Sequence, residues 1–96
     1  TYNAAKGGVL ALTTGWAKEF APWKIRVNAV APGHCLTPMP LQFDSLETIA
    51  RKTETIPLKR YGQPEDMGHA ISYLASPEAS FVTGQVISPN GGFQMT

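Results

Sequence analysis

Two residues at the start of this chain could move a proton together. Tyr2 and Lys6 stand four apart in Tyr2-Asn3-Ala4-Ala5-Lys6, and on a helix positions i and i+4 share a face. A free phenol titrates near ~10, too high for efficient acid–base work at neutral pH. A cation held beside it favours the phenolate and draws the pKa toward the working range. The couple could then give a proton to a carbonyl oxygen or take one from an alcohol. Alone, Y-x-x-x-K also describes an ordinary solvated helix face, so the elements that carry the pair decide its meaning.

The first of these is a helix over about Thr1 to Phe20, with Val9, Leu12, Trp16 and Phe20 as its expected buried stripe. Gly7 and Gly8 each cost about 1 kcal/mol of helix propensity against Ala, and are expected where a backbone or ligand comes close. Pro22 stops the helix, and Trp23 caps its end. Ile25 to Ala31, β-branched at Ile25, Val27 and Val30, reads as a strand closed by a Pro32-Gly33 turn.

Thr37 to Phe43, with Pro38 and Pro40, reads as irregular loop. Asp44 is the expected N-cap of a short helix to about Thr53, with Glu47 completing a capping box. A connector from Ile56 to Gly62 leads to a helix from Pro64 to about Ala75, with Glu65 and Asp66 in its first turn. Met67, Ala70, Ile71 and Leu74 mark its apolar face. Gln85 to Ser88 forms a second strand before Asn90-Gly91-Gly92. Strand, helix, strand over this length predicts a parallel, right-handed crossover and an α/β fold. Two strands cannot bury a parallel sheet by themselves, so further strands are expected outside these residues.

Composition narrows the function. The 96 residues suit one small domain, and a formal net charge of +1 gives no electrostatic case for nucleic acid or an anionic membrane. No apolar run approaches the roughly 20 residues needed to span a bilayer, and no secretory signal is visible. The single cysteine, Cys35, cannot form an internal disulfide, so a reducing, cytoplasmic setting is expected. Cys35 reads as a small buried residue, with no base placed to make it a nucleophile. His34 faces a substrate or is a solvent-exposed loop histidine, and His69 sits on a polar helix side. None of the three has metal-ligand spacing, so no metal is expected.

Five segments, in order, resemble the short-chain dehydrogenase/reductase family: Tyr2 to Gly8, Ile25 to Gly33, Thr37 four residues beyond Gly33, Arg60-Tyr61-Gly62-Gln63-Pro64-Glu65-Asp66, and Phe81 to Ile87. Within it the resemblance is closest to 3-oxoacyl carrier-protein reductase-like members. It implies the C-terminal portion of a Rossmann-like doubly wound parallel sheet, residues 1–96 being part of one NAD(P)-binding domain. It further implies NAD or NADP as cofactor and hydride transfer to or from a small carbonyl or secondary alcohol. Tyr2 becomes the acid or base, and Lys6 its tuner and the ligand of the nicotinamide ribose. Pro32 and Gly33 lie under the nicotinamide, while the Cys35 backbone and Thr37 hold its carboxamide. The stretch from about Pro38 to Tyr61 covers the substrate, and a homodimer or homotetramer is expected. The family's glycine-rich phosphate loop and catalytic serine have no counterpart here, and Asn90 stands where aspartate is common. The 96 residues by themselves are therefore expected to be inactive. The alternative is a non-catalytic fragment that serves only in packing or oligomerisation.

Overall fold

Helix α1, Tyr2–Phe20, takes up nearly a fifth of the chain in this computed structural model, which describes residues 2–36 and 44–93. A 3₁₀ turn at Ala21–Trp23 carries Pro22 near its start, and Lys24 then adopts a left-handed φ of 59° that ends the helical run. Strand β1 follows at Ala29–Val30, helix α2 at Leu46–Glu54 and helix α3 at Pro64–Ala75. A second 3₁₀ turn, Pro77–Ala79, leads to strand β2 at Val86–Ile87. This is an α/β arrangement, and the two strands pair in parallel, Ala29 with Val86 and Val30 with Ile87. The chain forms two compact units, Thr1–Ala31 with Ala70–Ile87 and Pro32–His69 with Ser88–Thr96.

In the first unit the approach to β1 holds the approach to β2. Arg26 donates to the carbonyls of Ser76 (3.4 Å) and Val82 (3.3 Å). Asn28 donates from Nδ2 to the Val82 carbonyl at 3.0 Å, and its Oδ1 accepts from the Gln85 N–H at 3.0 Å. The ladder runs on through Ala29 N–H to the Gln85 carbonyl and Ala31 N–H to the Ile87 carbonyl. Each strand is shorter than its β-branched run, because the N–H groups of Val27 and Gln85 go to the side chains of Thr83 and Asn28 rather than to a neighbouring strand's backbone.

The packing edge of α1 differs from the expected stripe. Val9, Leu12, Trp16 and Phe20 are all exposed among the described residues, while Thr13 and Ala17 are buried at 4% exposure each. Small side chains win here because backbone comes close: a β-carbon on Gly84 would sit 3.4 Å from Ala17 Cβ. Thr13 satisfies its hydroxyl within the helix by donating to the Val9 carbonyl at 2.7 Å.

In the second unit α2 is capped one residue later than expected. Ser45 Oγ accepts from the Thr48 N–H at 3.1 Å, while Asp44 pairs with Lys52 at 3.2 Å. Both are good N-cap residue types, and the ion pair draws Asp44 away from the role. Ile56, 1% exposed, is the largest fully buried side chain among the described residues. Helix α3 begins where its Pro64 and acidic first turn predict, though of its apolar face only Leu74 is buried and Ile71 is exposed, both in the part that belongs to the first unit.

Candidate functional site

Tyr2 opens α1 and Lys6 follows one turn later, so both positions share a helix face in the first unit. Lys6 Nζ is inaccessible to solvent and has no hydrogen-bond partner among the described residues. An ammonium carries three donors, and burying one without acceptors is costly. A ligand bringing oxygen acceptors to Nζ removes that cost, so Lys6 fits a hydroxylated cofactor. Gly7 and Gly8 have nothing within 4 Å of where a β-carbon would lie. The close backbone expected there is absent among the described residues.

The second unit carries Pro32, Gly33 and Cys35. Gly33 does not make a left-handed turn, since its φ is not positive. Its N–H donates to the Pro89 carbonyl at 3.3 Å, and the chain continues to a parallel bridge between Cys35 and Gly62. Glycine is required at 33 by crowding: a β-carbon would lie 2.5 Å from Asn90 Cβ and 2.8 Å from Asn90 Cα. In the bridge, Gly62 N–H donates to the His34 carbonyl at 2.8 Å and Leu36 N–H to the Gly62 carbonyl at 2.9 Å. Strand alternation turns the Cys35 N–H away from Gly62, and it donates to no acceptor among the described residues. That free donor fits a carboxamide oxygen. Thr37 and the loop from Thr37 to Phe43 lie outside the described residues.

Behind the bridge a charge clamp fixes the entry to α3. Arg60 holds Asp66 through both guanidinium nitrogens, at 2.9 and 3.3 Å. Asp66 also accepts from the Gln63 N–H at 2.7 Å, capping the helix from inside its first turn. The Arg60 hydrogen bond, then the Gln63 N–H, hold the Asp66 carboxyl down from 3.8 to about 2. A cavity of about 180 Å³ beside the clamp is lined by Leu58, Arg60, Asp66 and Asn90 among others. It is smaller than the roughly 300 Å³ at which ligand pockets begin, and its guanidinium is already engaged. The clamp is structural.

His34 is half-buried rather than a solvent-exposed loop histidine: its ring stacks on Tyr61 (centroids 5.3 Å, planes 23° apart) and meets Phe93 edge-on (4.8 Å, 67°). Sequence reasoning did not find this cluster, because its members are far apart in the chain and obey no local period. Tyr61 itself is buried, with its hydroxyl unpartnered among the described residues. Cys35 is half-buried with a free thiol, and His69 is exposed, as its helix position predicts.

Comparison with known proteins gives this geometry a context. A family model described as enoyl-(acyl carrier protein) reductase matches residues 1–94. The 3-oxoacyl-[acyl-carrier-protein] reductase FabG of Thermotoga maritima is 52% identical over 93 residues, which are 95% of this chain and 37% of that protein. A short-chain dehydrogenase/reductase of the glucose/ribitol dehydrogenase type from Brucella melitensis superposes with a TM-score of 0.87 at 41% identity, covering 99% of this chain and 38% of its own. YwfH, an NADPH dependent reductase involved in bacilysin biosynthesis, superposes with a TM-score of 0.85 at 30% identity over 94% of this chain and 38% of its own. The chain thus spans a little over a third of the length of the proteins it matches. Nearly all of its residues align with them, and it belongs to the short-chain dehydrogenase/reductase family.

Proposed function

We propose that these residues form the proton-transfer and nicotinamide-facing part of an NAD(P)-dependent oxidoreductase acting on a small carbonyl or secondary alcohol. One observation carries the reading: on the helix opened by Tyr2, the Lys6 ammonium is buried and has no acceptor among the described residues. A surface lysine at a chance Y-x-x-x-K would be solvated. When bound, the dinucleotide supplies the hydride donor or acceptor. In the reductive direction Tyr2 Oη gives its proton to the substrate oxygen; in the oxidative direction it takes the hydroxyl proton. Lys6 favours the phenolate of Tyr2 by its charge and donates to the ribose hydroxyls. Pro32 and Gly33 support the nicotinamide, and the Cys35 N–H and Thr37 hydroxyl donate to its carboxamide.

The chain's coverage of only 37% of its FabG relative supports placing the phosphate-gripping loop and the partner serine in sequence outside these residues. They would make one Rossmann-like domain with residues 1–96. The exposed Leu12, Trp16 and Phe81 suit a homodimer or homotetramer, and the free Cys35 suits the cytoplasm. A purely packing role would also use those apolar residues, but leaves the Lys6 ammonium unexplained.

The test is Lys6→Met in the complete enzyme. Losing a charged hydrogen-bond donor should weaken NADH and NADPH binding roughly 10- to 100-fold. Without the cation the Tyr2 pKa rises toward its free value near ~10, so the alkaline rise of the oxidative rate should move to higher pH. Unchanged affinity together with an unchanged pH profile would sink the assignment.

A further inference from the structure

We infer that His34 is a positioning residue, a ring wedged between two others that sets the direction of the Cys35 N–H. The inference rests on the reading above, in which that N–H meets the nicotinamide carboxamide. Two stretches of the second unit converge on His34, the connector through its adjacent Tyr61 and Gly62 and the tail after β2 through Phe93. The connector contributes Tyr61, 5% exposed, whose ring stacks on the imidazole. The tail after β2 contributes Phe93, whose ring meets it edge-on. The connector also contributes Gly62, whose N–H donates to the His34 carbonyl at 2.8 Å. The ring and the backbone of one residue are therefore held by different partners, and rotation about the His34 backbone is blocked at both. The next peptide N–H in the chain is that of Cys35.

The imidazole nitrogens make no hydrogen bond among the described residues. The ring meets its neighbours in one stacked and one edge-on contact, geometries that any flat aromatic of similar size can adopt. The wedge thus uses the shape of the imidazole, and a phenyl ring should serve in its place. Neighbouring positions leave little slack to absorb its loss. Gly33, on one side, is crowded against Asn90. Leu36, on the other, is bonded to the Gly62 carbonyl.

The experiment compares His34→Phe, His34→Ala, Phe93→Ala and the His34→Ala/Phe93→Ala double variant in the complete enzyme. It reads the Kd for NADH and NADPH, kcat at saturating cofactor, and the NMR shifts of the His34 ring protons in the cofactor-free wild type and Phe93→Ala proteins. His34→Phe should stay within about twofold of wild type in Kd. His34→Ala should raise Kd about tenfold, Phe93→Ala should raise it less, and the double variant should be no worse than His34→Ala, as expected of residues acting as one unit. The His34 ring protons should be displaced by the neighbouring rings and move toward ordinary values in Phe93→Ala. His34→Phe as impaired as His34→Ala would overturn the inference in favour of imidazole chemistry. An unchanged Kd in His34→Ala, or ring protons indifferent to Phe93→Ala, would overturn the wedge itself. A wild-type enzyme that binds neither dinucleotide would contradict the underlying reading, and is recognised because it needs no variant.

Discussion

Helix α1 and the Gly33–Gly62–Asn90 region hold their candidate residues by opposite means. In α1 a regular backbone does the work: Tyr2 and Lys6 share a face through helical spacing alone, and Gly7, Gly8 and Gly15 have open space where a side chain would lie. In the second region no regular element reaches the residues concerned. Gly33 is pressed against Asn90, and Gly91, at φ +64°, would place a β-carbon 2.8 Å from Ile56 Cγ2. Rings and a charge clamp supply the remaining constraints. A helix can position chemistry with its sequence loosely specified, whereas an irregular segment needs each residue to fit its own surroundings.

One substitution type applied to both regions should therefore give opposite signs. Gly33→Ala forces a backbone shift against Asn90 and should destabilise by about 1–3 kcal/mol or more, as overpacking does, with a lower urea midpoint. Gly15→Ala sits mid-helix with nothing within 4 Å and should stabilise by about 0.5–1 kcal/mol through helix propensity. Equal effects at the two sites would erase the contrast.

The smallest effect belongs to the exposed Arg60–Asp66 pair, which solvent screens. The folded carboxyl of Asp66, at about 2, lies below its ordinary 3.8. Its contribution is fully present above pH 3.8 and is lost as the pH falls toward 2. Asp66→Asn should remove that part of the acid dependence while lowering stability slightly near neutrality. An acid-unfolding curve identical to wild type between those two pH values would show that the clamp contributes nothing.

Legibility from sequence follows the same division. Helix α3 was readable because Pro64, Glu65 and Asp66 are local start signals, and the structure begins it at Pro64. The parallel strand pair followed from the β-branched runs around Val30 and Val86. For α2 the capping pattern pointed to Asp44, but Ser45 caps the helix while Asp44 pairs with Lys52, a partner no capping rule contains. On α1 the hydrophobic period pointed to Leu12 and Trp16, but close backbone approach selected Thr13 and Ala17 for burial. The Tyr2–Lys6 spacing was visible at once, as was the signature around Pro32 and Gly33. The ring cluster of His34, Tyr61 and Phe93 was not, because contacts between distant residues leave no periodic trace.

The proposed function turns on Tyr2 being the proton donor and acceptor. The direct measurement is turnover of Tyr2→Phe in the complete enzyme, with NADH and NADPH binding measured on the same protein. The substitution removes one hydroxyl and keeps the ring. With the hydroxyl gone, kcat should fall roughly 10²- to 10⁴-fold, with dinucleotide affinity within a few-fold of wild type. Turnover near the wild-type rate would contradict it.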